Sequence, residues 1–203
     1  MTPAPTVVAP IVIMVMATFK AGTPALSVSG PAANAFNLML RTPRRGLVVA
    51  GVSAMPRDVE YGEDHIGTIL EQYGIDPAAV ARLTSPRLLR VSSRRFAKTI
   101  VCVAPCSDRS AASRPFGVSV EFVGSGYGAE QFTLLAHSRP LANHAVDLAT
   151  TDGRRRHLRT DAEGVVHLPA DARGTMMLFA ALIEPPATGD RFVLNLSSLT
   201  LSR

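Results

Sequence analysis

Apolar and polar residues alternate in short runs along most of the chain, and turn-forming residues separate the runs. Phe116, Val118, Val120 and Phe122 alternate with Gly117, Ser119, Glu121 and Val123, the period of a half-buried strand. Phe96 to Val103, Phe132 to Ala136, Thr175 to Ile183 and Phe192 to Leu201 are further extended apolar runs. From Leu141 to Pro169, the turn signals Thr151-Asp152-Gly153 and Asp161-Ala162-Glu163-Gly164 separate three runs rich in Val, Leu and Thr. This spacing predicts a three-stranded meander, because glycine supplies the positive φ that a tight turn needs. With a four-residue loop at 161–164, Thr160 would face Val165, Leu158 would face His167 and His157 would face Leu168. The two histidines would then point to opposite faces.

One stretch changes period. Ile66, Ile69, Leu70 and Tyr73 fall at helical spacing, which predicts a helix over 63–73 that packs its apolar stripe on a sheet. Glu63 and Asp64 suit its first turn and Gly74 its end, and Asp76-Pro77 opens a second short helix through Leu83. Upstream, Leu26-Ser27-Val28 is a short strand, and Phe36–Arg41 and Leu47–Val52 read as a hairpin about Thr42–Gly46. Gly124-Ser125-Gly126-Tyr127-Gly128 is the best linker candidate. The expected organisation is therefore mostly β, with two β-sandwich-like domains. Residues 1–123 form a partial N-terminal β domain with one or two short helices, and residues 124–203 form a compact sandwich.

Composition narrows the function classes. A chain of 203 residues with 47% hydrophobic and 18% charged residues folds rather than staying disordered. The net charge is +5, but the basic residues are scattered, aromatics make up 5% and Trp is missing, which argues against a nucleic-acid partner. Val7 to Phe19 is apolar but shorter than the roughly 20 residues a membrane-spanning helix needs. It reads either as a signal-peptide core, although no Lys or Arg precedes it, or as a buried strand.

Candidate chemistry is sparse. Serines lack the Gly-x-Ser-x-Gly setting, and no phosphate-binding glycine loop occurs, so no enzyme is expected. If Cys102 and Cys106 lay on one extended segment, their Cα atoms would be roughly 13 Å apart. A disulfide tolerates about 7 Å, so a bond requires Ala104-Pro105 to turn the chain back; otherwise the two are separate thiols. Four of the five histidines lie beyond residue 124, and His137 and His144, flanking one turn, are the better pair for a metal. Arg154-Arg155-Arg156 reads as a solvated hairpin end that also discourages edge-to-edge pairing.

Several segments in consistent order carry a resemblance: HIGTILEQYGID at 65–76, SSRRFAKTIVCV at 92–103, RPFGVSVEFV at 114–123 and SSLTL at 197–201. With them go Pro140-Leu141-Ala142 leading to Val146, and Arg159-Thr160-Asp161-Ala162 leading to Gly164 and Val166. From about Gly46 onward the chain resembles a domain-of-unknown-function family described as a periplasmic component of cobalt or nickel uptake, with an Ig-like or prealbumin-like C-terminal module. The resemblance implies an exported, non-enzymatic accessory protein handling nickel or cobalt ion beside a transporter or cell-envelope partner. The alternative is an Ig-like structural or adhesion module at the cell surface. The chain departs from the family in three places: it has no His-Asp-x-Trp start, no Trp before the final Ser-Leu-Thr, and Ala181-Leu182-Ile183 where a histidine is frequent.

Overall fold

A computed structural model describes residues 11–17, 25–32, 35–41, 46–83, 87–103, 106, 110–124 and 128–203, the first three segments as strand paths. The strands are β1 (Ile11–Ala17), β2 (Ala25–Ala32), β3 (Ala35–Arg41), β4 (Gly46–Gly62), β5 (Leu88–Val103), β6 (Val120–Gly124) and β7 (Gln131–Ala136). They continue with β8 (Arg139–Pro140), β9 (Ala145–Thr150), β10 (Arg155–Arg159), β11 (Val165–His167), β12 (Thr175–Glu184) and β13 (Arg191–Ser202). The molecule is mostly β. A large sheet runs in the order β1-β4-β5-β13-β12-β9-β10, a smaller one has β7 between β6 and the pair β8 and β11, and β2 pairs with β3.

Helix α1 (Glu63–Gln72) follows β4 directly. Its Ile66 and Leu70 are buried, as the spacing requires. Gly74, at φ 62°, ends it: its N–H donates to Glu71 O, and the Ile75 N–H donates back to Leu70 O at 2.8 Å. Asp76 then caps a single 3-10 turn (Pro77–Val80) by accepting from Ala78 N at 2.8 Å, shorter than the second helix expected through Leu83.

Two cores lie on opposite faces and at opposite ends of the large sheet. Along β5, Leu89 and Val91 pack beneath α1 with Phe192, Leu194 and Ile183. Farther along, Ile100 faces the other way, toward Phe122, Phe132 and Leu134 of the smaller sheet. A bulge in β4 between Ala54 and Arg57 makes this possible. Before it, Leu47 and Val49 face the smaller sheet; after it, Val59 and Tyr61, of the same parity, face the helix. One inserted residue moves every later side chain to the opposite face.

Strand partners differ from several sequence expectations. The sheets do not divide at Gly124–Gly128: β6 and β7, either side of it, pair along five positions, and β5 pairs in parallel with β13 from Arg90↔Arg191 to Thr99↔Thr200. The expected meander splits. β10 pairs with β9 in the large sheet, whereas β11 crosses to pair with β7, so His157 and His167 lie on different sheets. Asp161 turns the corner by accepting from Glu163 N and Val165 N, and Thr160 anchors it through Leu141 O and His144 N. Phe36–Arg41 does not pair with Leu47–Val52; β3 lies beside β2, and β4 lies between β1 and β5. The strand expected from Phe116 starts only at Val120, because the Phe116 and Gly117 N–H groups are given to Glu121 instead of a ladder. Within Val7–Phe19, Ile11–Ala17 forms β1.

Candidate functional site: the cleft at His144

β9 and β12 pair only from Thr150↔Met176 to Asp147↔Phe179. Beyond that point β9 turns away and β12 continues along β13 alone, which opens a wedge. His144 fills its inner end. Its Nε2 lies 3.0 Å from the Ala181 carbonyl oxygen. A carbonyl only accepts, so Nε2 carries the proton and Nδ1 keeps a lone pair. The imidazole thus supplies the donor that the departing strand would have given. Burial pushes the His144 pKa down, partly opposed by the Ala181 hydrogen bond, and Arg159 pushes it down further. The ring is therefore held neutral near pH 7.

The backbone of His144 is fixed on both sides. Its N–H donates to Thr160 Oγ1 at 2.8 Å, and its carbonyl accepts from Thr160 N at 2.9 Å. Thr160, 2% exposed, passes its own hydroxyl proton to Leu141 O at 2.7 Å. Asn143 adopts φ 53°, and its carbonyl accepts from Arg159. Across the wedge, Gly74 comes so close that a Cβ there would meet the Ala145 Cβ at 3.1 Å. The result is an open cleft of about 460 Å³, with His144, Arg159, Asn143 and Asp76 as its polar lining and Ile75, Ala79 and Ile183 as its apolar lining.

The other proposed ligand, His137, is placed differently. It and Ser138, at φ 48° and 64°, form the two-residue turn joining β7 to β8. The His137 ring meets Glu184 at 2.7 Å, and the second oxygen of Glu184 accepts from Asn195 at 2.6 Å. His137 therefore meets β12 through the Glu184 side chain, whereas His144 meets it through the Ala181 backbone. The remaining histidines also meet carboxylates: His65 with Asp64, His157 with Asp147 and His167 with Asp161. All four carboxylate-paired rings are exposed, so His144 is the half-buried histidine. Among the described residues no three His, Cys, Asp or Glu side chains converge as a metal site.

Cys102 and Cys106 are joined by a disulfide, with Cα atoms 5.8 Å apart. The Arg154–Arg156 run is internally neutralised: Arg154 pairs with Asp152, Arg155 with Asp147 and Arg156 with Asp171.

A buried ion pair escaped the sequence reading. Lys98 reaches from β5 to Glu121 of β6 at 3.2 Å and to Phe122 O at 3.0 Å, with both side chains at most 2% exposed. Glu121 also accepts from Phe116 N at 2.9 Å and Gly117 N at 2.8 Å. Burial pushes the Lys98 pKa down, and Glu121 opposes it. Closed from solvent and satisfied on every side, the pair clamps the two sheets. The available signal was Lys98 in the register of Phe96 and Ile100, and Glu121 between two buried residues.

No known family model matches the chain, and neither a curated protein nor a solved structure matches it.

Proposed function

We propose that the chain is a non-enzymatic binding or accessory module of the periplasm or cell surface, taking its ligand in the cleft at His144. The observation that carries this reading is the half-buried neutral imidazole whose Nε2–H is committed to Ala181, leaving the Nδ1 lone pair to offer. The Cys102–Cys106 disulfide supports an oxidising compartment, where such bonds persist. Nickel or cobalt ion, implied by the family resemblance, is the ligand to test first. A metal-bound histidine commonly gives its other N–H to a backbone carbonyl, the bond that His144 makes. With His144 and Asp76 as the ionisable oxygen and nitrogen donors suited to such an ion, it would keep much of its own water.

Calorimetric titration of the untagged full chain with nickel and cobalt salts tests this. Binding that is lost in His144→Ala and kept in His137→Ala is the expected result. Absence of heat at millimolar metal, or loss only in His137→Ala, would overturn the metal reading.

A further inference from the structure

The helix-bearing face of the large sheet is only partly covered. Beyond the end of α1 lies an open trough of about 430 Å³ whose floor includes Val52, Ala54, Ala97, Phe179 and Leu196. Ala97 is exposed, and Val52, Ala54 and Phe179 are half-buried. Tyr73 closes the helix end, with its ring 6.0 Å from Phe179, and Arg95 stands at the rim.

The β4 bulge decides what joins Arg95. After it, Arg57 lies opposite Ser93 and Tyr61 opposite Leu89, on the helix face. Tyr73 and Arg95 line the trough, and the register sets Arg57 and Tyr61 on the same face beside it, so two guanidinium groups and two phenols stand toward one end. Among the described residues none of these four side chains makes a hydrogen bond or ion pair. The acids of the same strand face the other way: Asp58 pairs with Arg191, and Glu60 with Arg90. Cations gathered without an acid, next to a carbon-lined floor, are complementary to a ligand that is anionic at one end and apolar along the rest.

We propose that this trough binds a single amphipathic carboxylate. Its acyl chain lies on Val52, Ala54, Ala97, Phe179 and Leu196, and its carboxylate sits between Arg57 and Arg95, accepting from the Tyr61 and Tyr73 hydroxyls. Guanidinium groups suit a planar carboxylate because their donors match it in pairs. The concave shape fits one chain rather than a flat bilayer. The site is separate from the His144 cleft and does not rest on the function proposed for it.

The test is calorimetric titration of the full chain with decanoate below its micelle concentration, beside decanol and vesicles of anionic lipid. Decanoate is expected to bind one per chain, and decanol and the Arg57→Gln/Arg95→Gln variant about tenfold or more weakly. Ala97→Trp, at an exposed position, should abolish binding by filling the floor while leaving circular dichroism unchanged. Equal affinity for decanol, an unaffected double variant, no heat with decanoate, or binding to vesicles alone would each overturn the proposal.

Discussion

The large sheet carries cationic groups on both faces and treats them in opposite ways. Toward the smaller sheet, Lys98 is sealed beneath Phe116, whose ring lies 5.0 Å from the ammonium, and every contact is matched by Glu121 or a carbonyl. Toward the helix, Arg57 and Arg95 are exposed, and among the described residues neither side chain pairs with an acid. A buried charge must be paired, because an unmatched one costs several kcal/mol; an exposed one is solvated by water and stays available to a ligand. The same sheet thus separates charge that holds it together from charge that can recognise something else.

The largest loss is expected on the buried side, at Lys98. Lys98→Met should cost roughly 3–5 kcal/mol in urea unfolding, since it strands Glu121 in the core. Lys98→Met/Glu121→Gln should recover part of that loss. If Lys98→Met alone is neutral, the clamp is not holding the sheets. Gly51→Ala probes the roof of the same region. A Cβ there would meet the Phe96 ring at 2.9 Å and the Phe116 ring at 3.3 Å. A loss of about 1–3 kcal/mol is expected from the forced shift of both rings, read from the thermal midpoint.

His144 lies between the extremes, half-buried and neutral, so its effect is read through pH. Its folded pKa is below the ordinary value of about 6.5. The unfolded chain therefore takes up the proton first as pH falls. Stability should be full above pH of about 6.5 and decline as pH drops toward the folded pKa, then level off. His144→Gln should flatten that segment of a stability-versus-pH curve; an unchanged slope would mean that another group is responsible. The smallest effect is expected on the trough side. Arg57→Gln/Arg95→Gln should change unfolding free energy by within about 0.5 kcal/mol, as for other exposed positions. A larger loss would show that these arginines are structural after all.

Local pattern carried the elements well where an element answers to its own residues. The spacing of Ile66, Leu70 and Tyr73, with Gly74 after them, encodes α1 because a helix closes its hydrogen bonds within itself. The apolar runs at Thr175–Ile183 and Phe192–Leu201 become β12 and β13 with ends shifted by at most one residue. Pairing was less legible. The turn at Asp161–Gly164 looks like a hairpin, yet Thr160 and Asp161 bend the chain from one sheet to the other through side-chain bonds that no period reveals. The Gly124–Gly128 segment looks like a linker but joins two neighbouring strands of one sheet. At the candidate site, sequence could single out His137 and His144 as residue types. It could not tell that one would meet a carboxylate on an exposed turn and the other a bare carbonyl in a wedge.

The sequence by itself determined that this chain is built mainly of strands, where its helix begins and stops, and which residues could bear charge or bind a ligand. Those properties follow from side-chain period and turn chemistry acting over a few residues. Tertiary structure alone decided which strand lies beside which, that β5 serves a different core at each end, and that the β4 bulge turns Arg57 toward Arg95 rather than away. Alternation gives a strand two faces; what packs against each face is set by partners far away in the chain.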